Sequence, residues 1–335
     1  MLSTGDLDGD GLRDLMVANY TAGTVSVMPN QGGGTFGTRV DYTTGVTPVS
    51  VEGGDLDADG DLDLVVANHG NGTAGSSTVT ALFNQGTGTF TPQTLHTATS
   101  ITTALPADLD GDGDLELVVP DFNTASVAIL FNDGPGTFPR YETYPVGSQP
   151  ALVARGDFDR DGDVDLAVTD FGSTPQGGGI ILLRNDGWGG LSPQPLIPTG
   201  ARSRAIAAGD FNGDGWLDLA VSNEEPSSLG ILLQDGQGGF LPQVTYSKAG
   251  MAYALALGDF DGNGVLDLAA PDSSSASVGL YVGRGDGSFE HPRLYATGPE
   301  TLGVAVGDLN ADGRLDVATS HYGTSTVGVL LNTCQ

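Results

Sequence analysis

The sequence predicts an all-β fold, a seven-bladed β-propeller of four-stranded antiparallel blades, and three observations carry that expectation. An acidic window of nine residues begins at Asp6, Asp55, Asp108, Asp157, Asp210, Asp259 and Asp308, at intervals of 49, 53, 49, 53, 49 and 49 residues. So regular a period marks a repeat array, in which one supersecondary unit is stacked many times. Between windows lie apolar stretches of strand length parted by Gly-rich turns, and the chain holds 53 glycines. No apolar pattern of 3.6-residue period runs far enough for a helix.

Each unit reads in the same order. An apolar stretch ending in Gly-Asp, as at Ala254 to Asp259, is strand A. The acidic window follows, then strand B, for example Leu166 to Thr169. A polar corner leads to strand C, such as Val127 to Phe131, and a turn of the form Asn-x-Gly-x-Gly-x-Phe follows at Asn84 to Phe90 and Asn132 to Phe138. Strand D runs to a Tyr or Leu and then usually a Gly, as at Tyr295 to Gly298. Four antiparallel strands repeated seven times fit a propeller, whose radial closure protects the sheet edges. A parallel β-helix would need shorter rungs. Unit 1 opens on the tail of strand A, Met1 to Gly5, and unit 7 stops after strand C, Val327 to Asn332. The expectation is one domain over 1–335 that closes where its termini meet. A preceding segment of roughly 25–30 residues, on the order of half a repeat, would supply the missing strand D and the start of strand A.

The formal charge of −30 argues against nucleic acid or an anionic membrane surface as partner. Of the 42 acidic side chains, 28 fall inside the seven windows, so the charge is periodic and interleaved with Gly, unlike an acidic tail. A cation must relieve the repulsion within each window. No apolar run approaches the length of a membrane span. The single cysteine, Cys334, leaves no internal disulfide; it is either an inert thiol or one whose partner lies in another segment.

The window pattern is D-x-[DN]-x-[DN]-G-x-x-[DE], and alternate positions 1, 3, 5 and 9 can turn oxygens toward one centre. The ligand sets are Asp6, Asp8, Asp10 and Asp14; Asp55, Asp57, Asp59 and Asp63; Asp108, Asp110, Asp112 and Glu116; and Asp157, Asp159, Asp161 and Asp165. The remaining three are Asp210, Asn212, Asp214 and Asp218; Asp259, Asp261, Asn263 and Asp267; and Asp308, Asn310, Asp312 and Asp316. Gly at position 6 permits the sharp bend, and the carbonyl of position 7 joins the shell. Six or seven oxygens suit Ca²⁺, whereas Zn²⁺ would want His or Cys. Asn212, Asn263 and Asn310 lower the charge of sites 5 to 7, which are expected to bind more weakly. Glu116 lengthens position 9 of site 3. An EF-hand would close at position 12 between helices, and neither feature is present.

The run Gly156-Asp-Phe-Asp-Arg-Asp-Gly-Asp-Val-Asp-Leu-Ala-Val168, followed by Asn-x-Gly-x-Gly-x-Phe, resembles the FG-GAP/VCBS-type repeat over essentially the whole chain. That repeat builds the calcium-carrying propeller heads of integrin α subunits and of many bacterial secreted proteins. The resemblance implies about seven structural Ca²⁺ ions in loops between strands A and B, an extracellular or cell-surface setting, and ligands meeting the face opposite those loops. It names no ligand, since one fold serves many functions.

On that opposite face the corners between strands B and C carry a polar position (Asn19, Asn68, Asp121, Asp170, Asn223, Asp272, His321) and a second one (Tyr20, His69, Phe122, Phe171, Glu224, Ser273, Tyr322). These suit either a glycan or peptide site, or local turn bonds and blade packing. The connections between strand D and the next strand A add Gln149, Arg202, Arg204, Tyr253 and Glu300. Tyr20, His69, Arg202, Arg204, Tyr253 and Tyr322 are the ligand-binding candidates, and two arginines together in so acidic a chain point to an anionic ligand group. Corners 2 and 4 are lengthened at Gly70 to Ser77 and Gly172 to Gly179. Arg284-Gly285-Asp286 spells an adhesion tripeptide but occupies a turn between strands C and D. The four histidines, 69, 96, 291 and 321, are scattered and no Gly-x-Ser-x-Gly elbow occurs. Binding of a glycan or extracellular protein is therefore the leading expectation. A carbohydrate-active enzyme using Glu224 and Glu225, and a filament subunit associating through the open terminal blade, are the alternatives.

Overall fold

The computed structural model describes residues 1–73, 75–174, 177–247 and 250–333. Cys334 lies outside the described residues, as do Ala74, Pro175 and Gln176 of the lengthened corners. Seven antiparallel sheets follow one another in chain order, the blades of a seven-bladed β-propeller, and no helix occurs among the described residues.

Strands A to D of blade 1 are Leu2–Gly5, Asp14–Asn19, Thr24–Met28 and Val40–Thr43; those of blade 2 are Pro48–Gly54, Asp63–Asn68, Ser77–Asn84 and Phe90–Ala98. Blade 3 has Leu105–Ala107, Glu116–Asp121, Ser126–Phe131 and Arg140–Pro145. In blade 4, Pro150–Gly156, Asp165–Asp170 and Gly179–Asn185 are followed by a strand D in two pieces, Leu191–Pro193 and Ile197–Pro198, both paired with strand C. Pro193, Pro195 and Pro198 withhold the N–H groups that one continuous strand would use. Blade 5 comprises Ala201–Gly209, Asp218–Glu225, Ser227–Leu232 and Val244–Ser247, and blade 6 Ala256–Gly258, Asp267–Asp272, Ser277–Tyr281 and Arg293–Ala296. Blade 7 shows Thr301–Gly307, Asp316–His321 and Thr326–Leu330.

Strand B is buried along its length in blades 2, 3, 4 and 6, and strand D is mostly exposed, so each blade passes from a dry interior strand to a wet edge. The cores lie between neighbouring blades. One compact unit, Met1–Pro150 with Gly307–Gly313, holds two of them. Leu7, Met16, Val25 and Val27 pack on Val51, Leu64, Val66 and Phe90; Leu56, Val65 and Val79 pack on Leu117, Val119 and Leu130. The other unit, Ala151–Val306 with Arg314–Gln335, has three such clusters, between blades 4 and 5, 5 and 6, and 6 and 7.

A side-chain latch runs between blades. Asn84 at the start of the blade 2 turn between strands C and D donates from Nδ2 to Leu7 O of blade 1 at 2.8 Å. Asn132 reaches Leu56 O of blade 2 at 2.8 Å, Gln234 reaches Phe158 O of blade 4 at 2.7 Å, and Asn332 reaches Phe260 O of blade 6 at 2.7 Å. Asn30 of blade 1 does the same to Leu309 O of the blade 7 window at 3.0 Å. Blade 6 has Gly283 at this position. A Cβ there would lie 2.3 Å from Leu266 O, so no side chain fits, and the Gly287 N–H donates to Phe211 O at 3.0 Å instead.

Replacing Asn84 by Ala leaves the buried Leu7 carbonyl without its donor. It is expected to lower unfolding free energy by about 1–3 kcal/mol, read by chemical denaturation against the unmodified chain.

Candidate functional site

The acidic windows join strands A and B at one end of each blade. Their position 2 side chains, Leu7, Leu56, Leu109, Phe158, Phe211, Phe260 and Leu309, are buried in the cores. That apolar grip holds the loop while the same residue's N–H and C=O serve the polar network. Position 6 is a glycine in the left-handed region in every window, with φ from +83° at Gly264 to +102° at Gly162. Position 4 is left-handed too, and three non-glycine residues tolerate it: Ala58 at +60°, Arg160 at +62° and Ala311 at +62°.

The loop curls through its own carboxylates. Gly9 N and Gly11 N both donate to Asp6 at 2.9 Å, and Leu12 N donates to Asp10 at 2.8 Å. Position 9 is bound from two sides. Asp14 accepts Leu7 N at 2.9 Å and Asn30 N at 2.7 Å; Asp63 accepts Leu56 N at 2.8 Å and Asn84 N at 2.7 Å. Asp165, Asp218 and Asp267 repeat the pair, each with its own window and the turn between strands C and D. In blade 3 Leu109 N donates to Glu116 Oε2 at 2.7 Å, while Oε1 is buried with no hydrogen-bond partner.

Oxygens of Asp55, Asp57 and Asp63 lie within 4.8 Å of one another, as do those of Asp108, Asp110 and Glu116, of Asp157, Asp159 and Asp165, and of Asp259, Asp261 and Asp267. Positions 1, 3 and 5, Asp6, Asp8 and Asp10, converge in blade 1. A calcium–oxygen distance of about 2.3–2.6 Å sets opposite ligands about 5 Å apart, so these groups match one shared ion. Asp57 Oδ1, Asp110 Oδ1, Asp157 Oδ1 and Asp159 Oδ1 are buried without any hydrogen-bond partner, as acceptors awaiting a cation would be. The residues therefore fit a hard, oxygen-bound metal ion. In blades 5 and 7 the position 3 amide is turned inward: Asn212 Nδ2 donates to Asp214 at 2.9 Å and Asn310 Nδ2 to Asp312 at 3.1 Å.

Arg184 belongs to this site although no motif marks it. The residue before the turn asparagine is apolar elsewhere (Pro29, Phe83, Phe131, Leu233, Val282, Leu331). In blade 4 its guanidinium enters the acidic cluster, with Nη1 at 2.6 Å from Asp165 and 3.5 Å from Asp159, its side chain 15% exposed. Arg160 leaves the same loop, stacks 4.2 Å above the Trp216 ring and donates to Asp214 O and Gly215 O of the next loop.

Burial pushes the Asp63 and Asp218 carboxyls up to about 6 and Glu116 up to about 7; neighbouring loop acids add to the rise and backbone N–H bonds oppose it. Asp14 and Asp267 shift the same way, again through burial.

At the other end of the blades, the first corner position works for the fold. Asn68 Oδ1 accepts Gly45 N at 2.9 Å while its Nδ2 bonds Thr78 and Thr80; Asp121 accepts Thr99 N and Oγ1; His321 Nε2 accepts Gly298 N at 3.1 Å. Among the ligand candidates, His69 Nδ1 lies 3.0 Å from Ile101 O, and Tyr20 and Tyr322 are exposed. Arg202, Arg204 and Tyr253 come together. The Arg204 guanidinium sits 4.7 Å from the Phe171 ring centre and 4.5 Å from that of Tyr253, paired with Glu224 at 2.6 Å. Arg202 lies 5.2 Å from Phe171 and 3.4 Å from Glu225. Asp286 of the Arg-Gly-Asp turn accepts Ser288 N and Oγ, which hold its carboxyl below the usual range.

Fold and loops together define a repeat propeller with acidic loops able to hold metal ions. The chain belongs to the FG-GAP-like repeat family, which matches residues 6–66, 55–119, 157–221, 210–270 and 269–319. Solved structures with the same fold include BBS1N in complex with ARL6DN, at 17% identity, a TM-score of 0.67, and 100% of this chain and 93% of that one covered. An Agrocybe aegerita lectin that recognises non-reducing terminal N-acetylglucosamine is similar at 17% identity and a TM-score of 0.58, over 99% and 94% of the two chains. A Lactobacillus plantarum protein is similar at 14% identity and a TM-score of 0.59, over 98% and 94%. A search of the curated proteins returns no match.

Two outcomes are expected. Folded carboxyls raised above their unfolded values favour the metal-free fold below about pH 4, and that contribution is lost as pH rises through 6 to 7. Melting temperature in chelator should accordingly fall between pH 5 and pH 7.5. Replacing Arg184 by Met removes a charge that opposes a cation. Blade 4 should then bind terbium roughly tenfold more tightly by luminescence titration, while the metal-free chain melts lower because Asp165 loses its partner.

Proposed function

We propose that the chain is an extracellular or cell-surface binding and adhesion module whose windows hold about seven structural calcium ions. Its ligand, a glycan or an extracellular protein, meets the corner ends of the blades. The carrying observation is the Arg204 stack, where a guanidinium between Phe171 and Tyr253 stands beside Arg202, Glu224 and Glu225. Aromatic faces beside charged groups offer both apolar contact and directional hydrogen bonds, the mixture that recognition surfaces use. Two arginines in so acidic a chain by themselves suggest an anionic group. With each arginine next to a glutamate, a neutral or mixed-charge ligand fits better.

Calcium is the cation these oxygen-only loops suit best, being tolerant of irregular geometry and of six to eight ligands. At about 2 mM calcium and a dissociation constant near 10⁻⁴ M, each filled loop adds roughly 1.8 kcal/mol to stability. Binding is favoured over catalysis because Glu224 and Glu225, the acids an enzyme reading would use, are each engaged by an arginine. The complex of BBS1N with ARL6DN and the N-acetylglucosamine lectin give the same scaffold binding roles, in agreement with this reading.

Chelation should lower the melting temperature by tens of degrees, and calorimetry with and without chelator measures it; an unchanged value would show that the packed sheets alone hold the fold. Glycan and extracellular-protein arrays probed with the calcium-loaded chain should give hits that weaken at least tenfold on Arg204→Ala with Tyr253→Ala. Hits indifferent to both would place the ligand elsewhere.

A further inference from the structure

Strand D carries an aromatic stopper at one register. Tyr42 pairs with Val25, Tyr144 with Val127, Tyr246 with Leu229 and Tyr295 with Val278. In two blades the ring visibly closes the seam to the next blade. Tyr42 stands edge-on to Phe90 at 5.2 Å and donates to Gly88 O at 3.2 Å. Tyr246 stands edge-on to Phe289 at 6.1 Å and accepts its N–H at 2.9 Å.

Blade 4 has Ile197 at this register, opposite Ile180, and blade 2 departs further. Its ladder slips between Val79 and Thr80, so Leu95 has no strand partner and His96 takes the tyrosine register opposite Val79. Leu95 and Phe138 pack against the core beneath, while the His96 ring meets Tyr141 edge-on at 4.8 Å. What remains is a cleft of about 360 Å³ lined by Thr94, His96, Thr97, Phe138, Arg140 and Tyr141. Tyr141 is 58% exposed. The His96 imidazole and the Tyr141 hydroxyl make no hydrogen bond to the described residues. The Arg140 guanidinium rests 3.6 Å from the Phe131 ring centre, with Asp133 and Glu142 carboxylates at 3.7 and 3.9 Å balancing its charge.

The lining selects its ligand. An apolar molecule would leave the hydroxyls and the imidazole without partners. A polyanion would face a chain of formal charge −30 and an arginine already balanced. A ring with one C–H face for Tyr141 and a rim of hydroxyls for Thr94, His96, Thr97 and Arg140 satisfies both halves, and the volume suits one such ring. We propose that this cleft, on the rim between blades 2 and 3, binds a single uncharged pyranose unit. The site is separate from the corner ends and does not depend on what they bind.

The full chain in calcium, titrated with the methyl glycosides of glucose, galactose, mannose and N-acetylglucosamine, tests it by ligand-observed NMR and calorimetry. At least one glycoside should bind saturably in the millimolar range. Tyr141→Ala, and His96→Tyr, which puts the sister-blade ring into the cleft, should each weaken it at least tenfold, while Arg204→Ala leaves it unchanged. No saturable binding at tens of millimolar overturns the proposal, as does binding that survives Tyr141→Ala. Tyr141 is largely exposed, so its truncation spares the core and remains decisive even if the His96 variant disturbs the seam.

Discussion

The structure depends most on the position 9 carboxylate of each window. It ends the acidic loop and begins strand B, and in blades 1, 2, 4, 5 and 6 it accepts two backbone N–H groups, one from its own loop and one from the turn between strands C and D. Those bonds tie three connections of a blade to one buried charge. Burying that charge costs several kcal/mol unless it is compensated. Two N–H dipoles offset part of that; in blade 4 the Arg184 guanidinium adds to it, and a cation held by the loop would do the same elsewhere. A single residue thus couples the strand ladder, the turn and the metal loop, and none of the three can reorganise alone.

The latch carries the coupling onward. The N–H of Asn84 binds its own blade's Asp63, while its side chain binds the carbonyl of Leu7, whose N–H in turn binds Asp14. Loop geometry is therefore transmitted from blade to blade by hydrogen bonds alongside the apolar packing, and polar groups that burial would otherwise strand are satisfied. At blade 6 the side chain is missing, and the Gly287 N–H reaches the preceding loop instead. The seam between blades 5 and 6 rests more on its aromatic cluster of Phe211, Phe289, Tyr246 and Tyr281.

Blade number, strand order and the oxygen sets were legible because the spacing of Asp and Gly is itself geometry: left-handed turns need glycine, and convergent oxygens need alternation. The partners of those groups were hidden. The turn asparagines look like ordinary turn formers, and the carbonyls they reach lie 76 and 77 residues away in blades 2 and 1. Nothing in the residues around Arg184 shows that its side chain turns inward. The arginines of the corner could be picked out as unusual in an acidic chain, but not their stacking on Phe171 and Tyr253. The slip at Leu95 leaves no mark in a strand where Thr and Gln alternate with apolar residues.

The latches of blades 2, 3, 5 and 7 point the same way along the chain, from a turn to the loop of an earlier blade. A segment running from one acidic window to the next therefore contains one donor and one acceptor, never a matched pair. Copying such a segment in tandem adds both halves at once and leaves no buried group orphaned at either junction. An array with this polarity can gain or lose whole units by duplication and deletion without redesign of its seams, and its blade count is open to evolutionary change in steps of one.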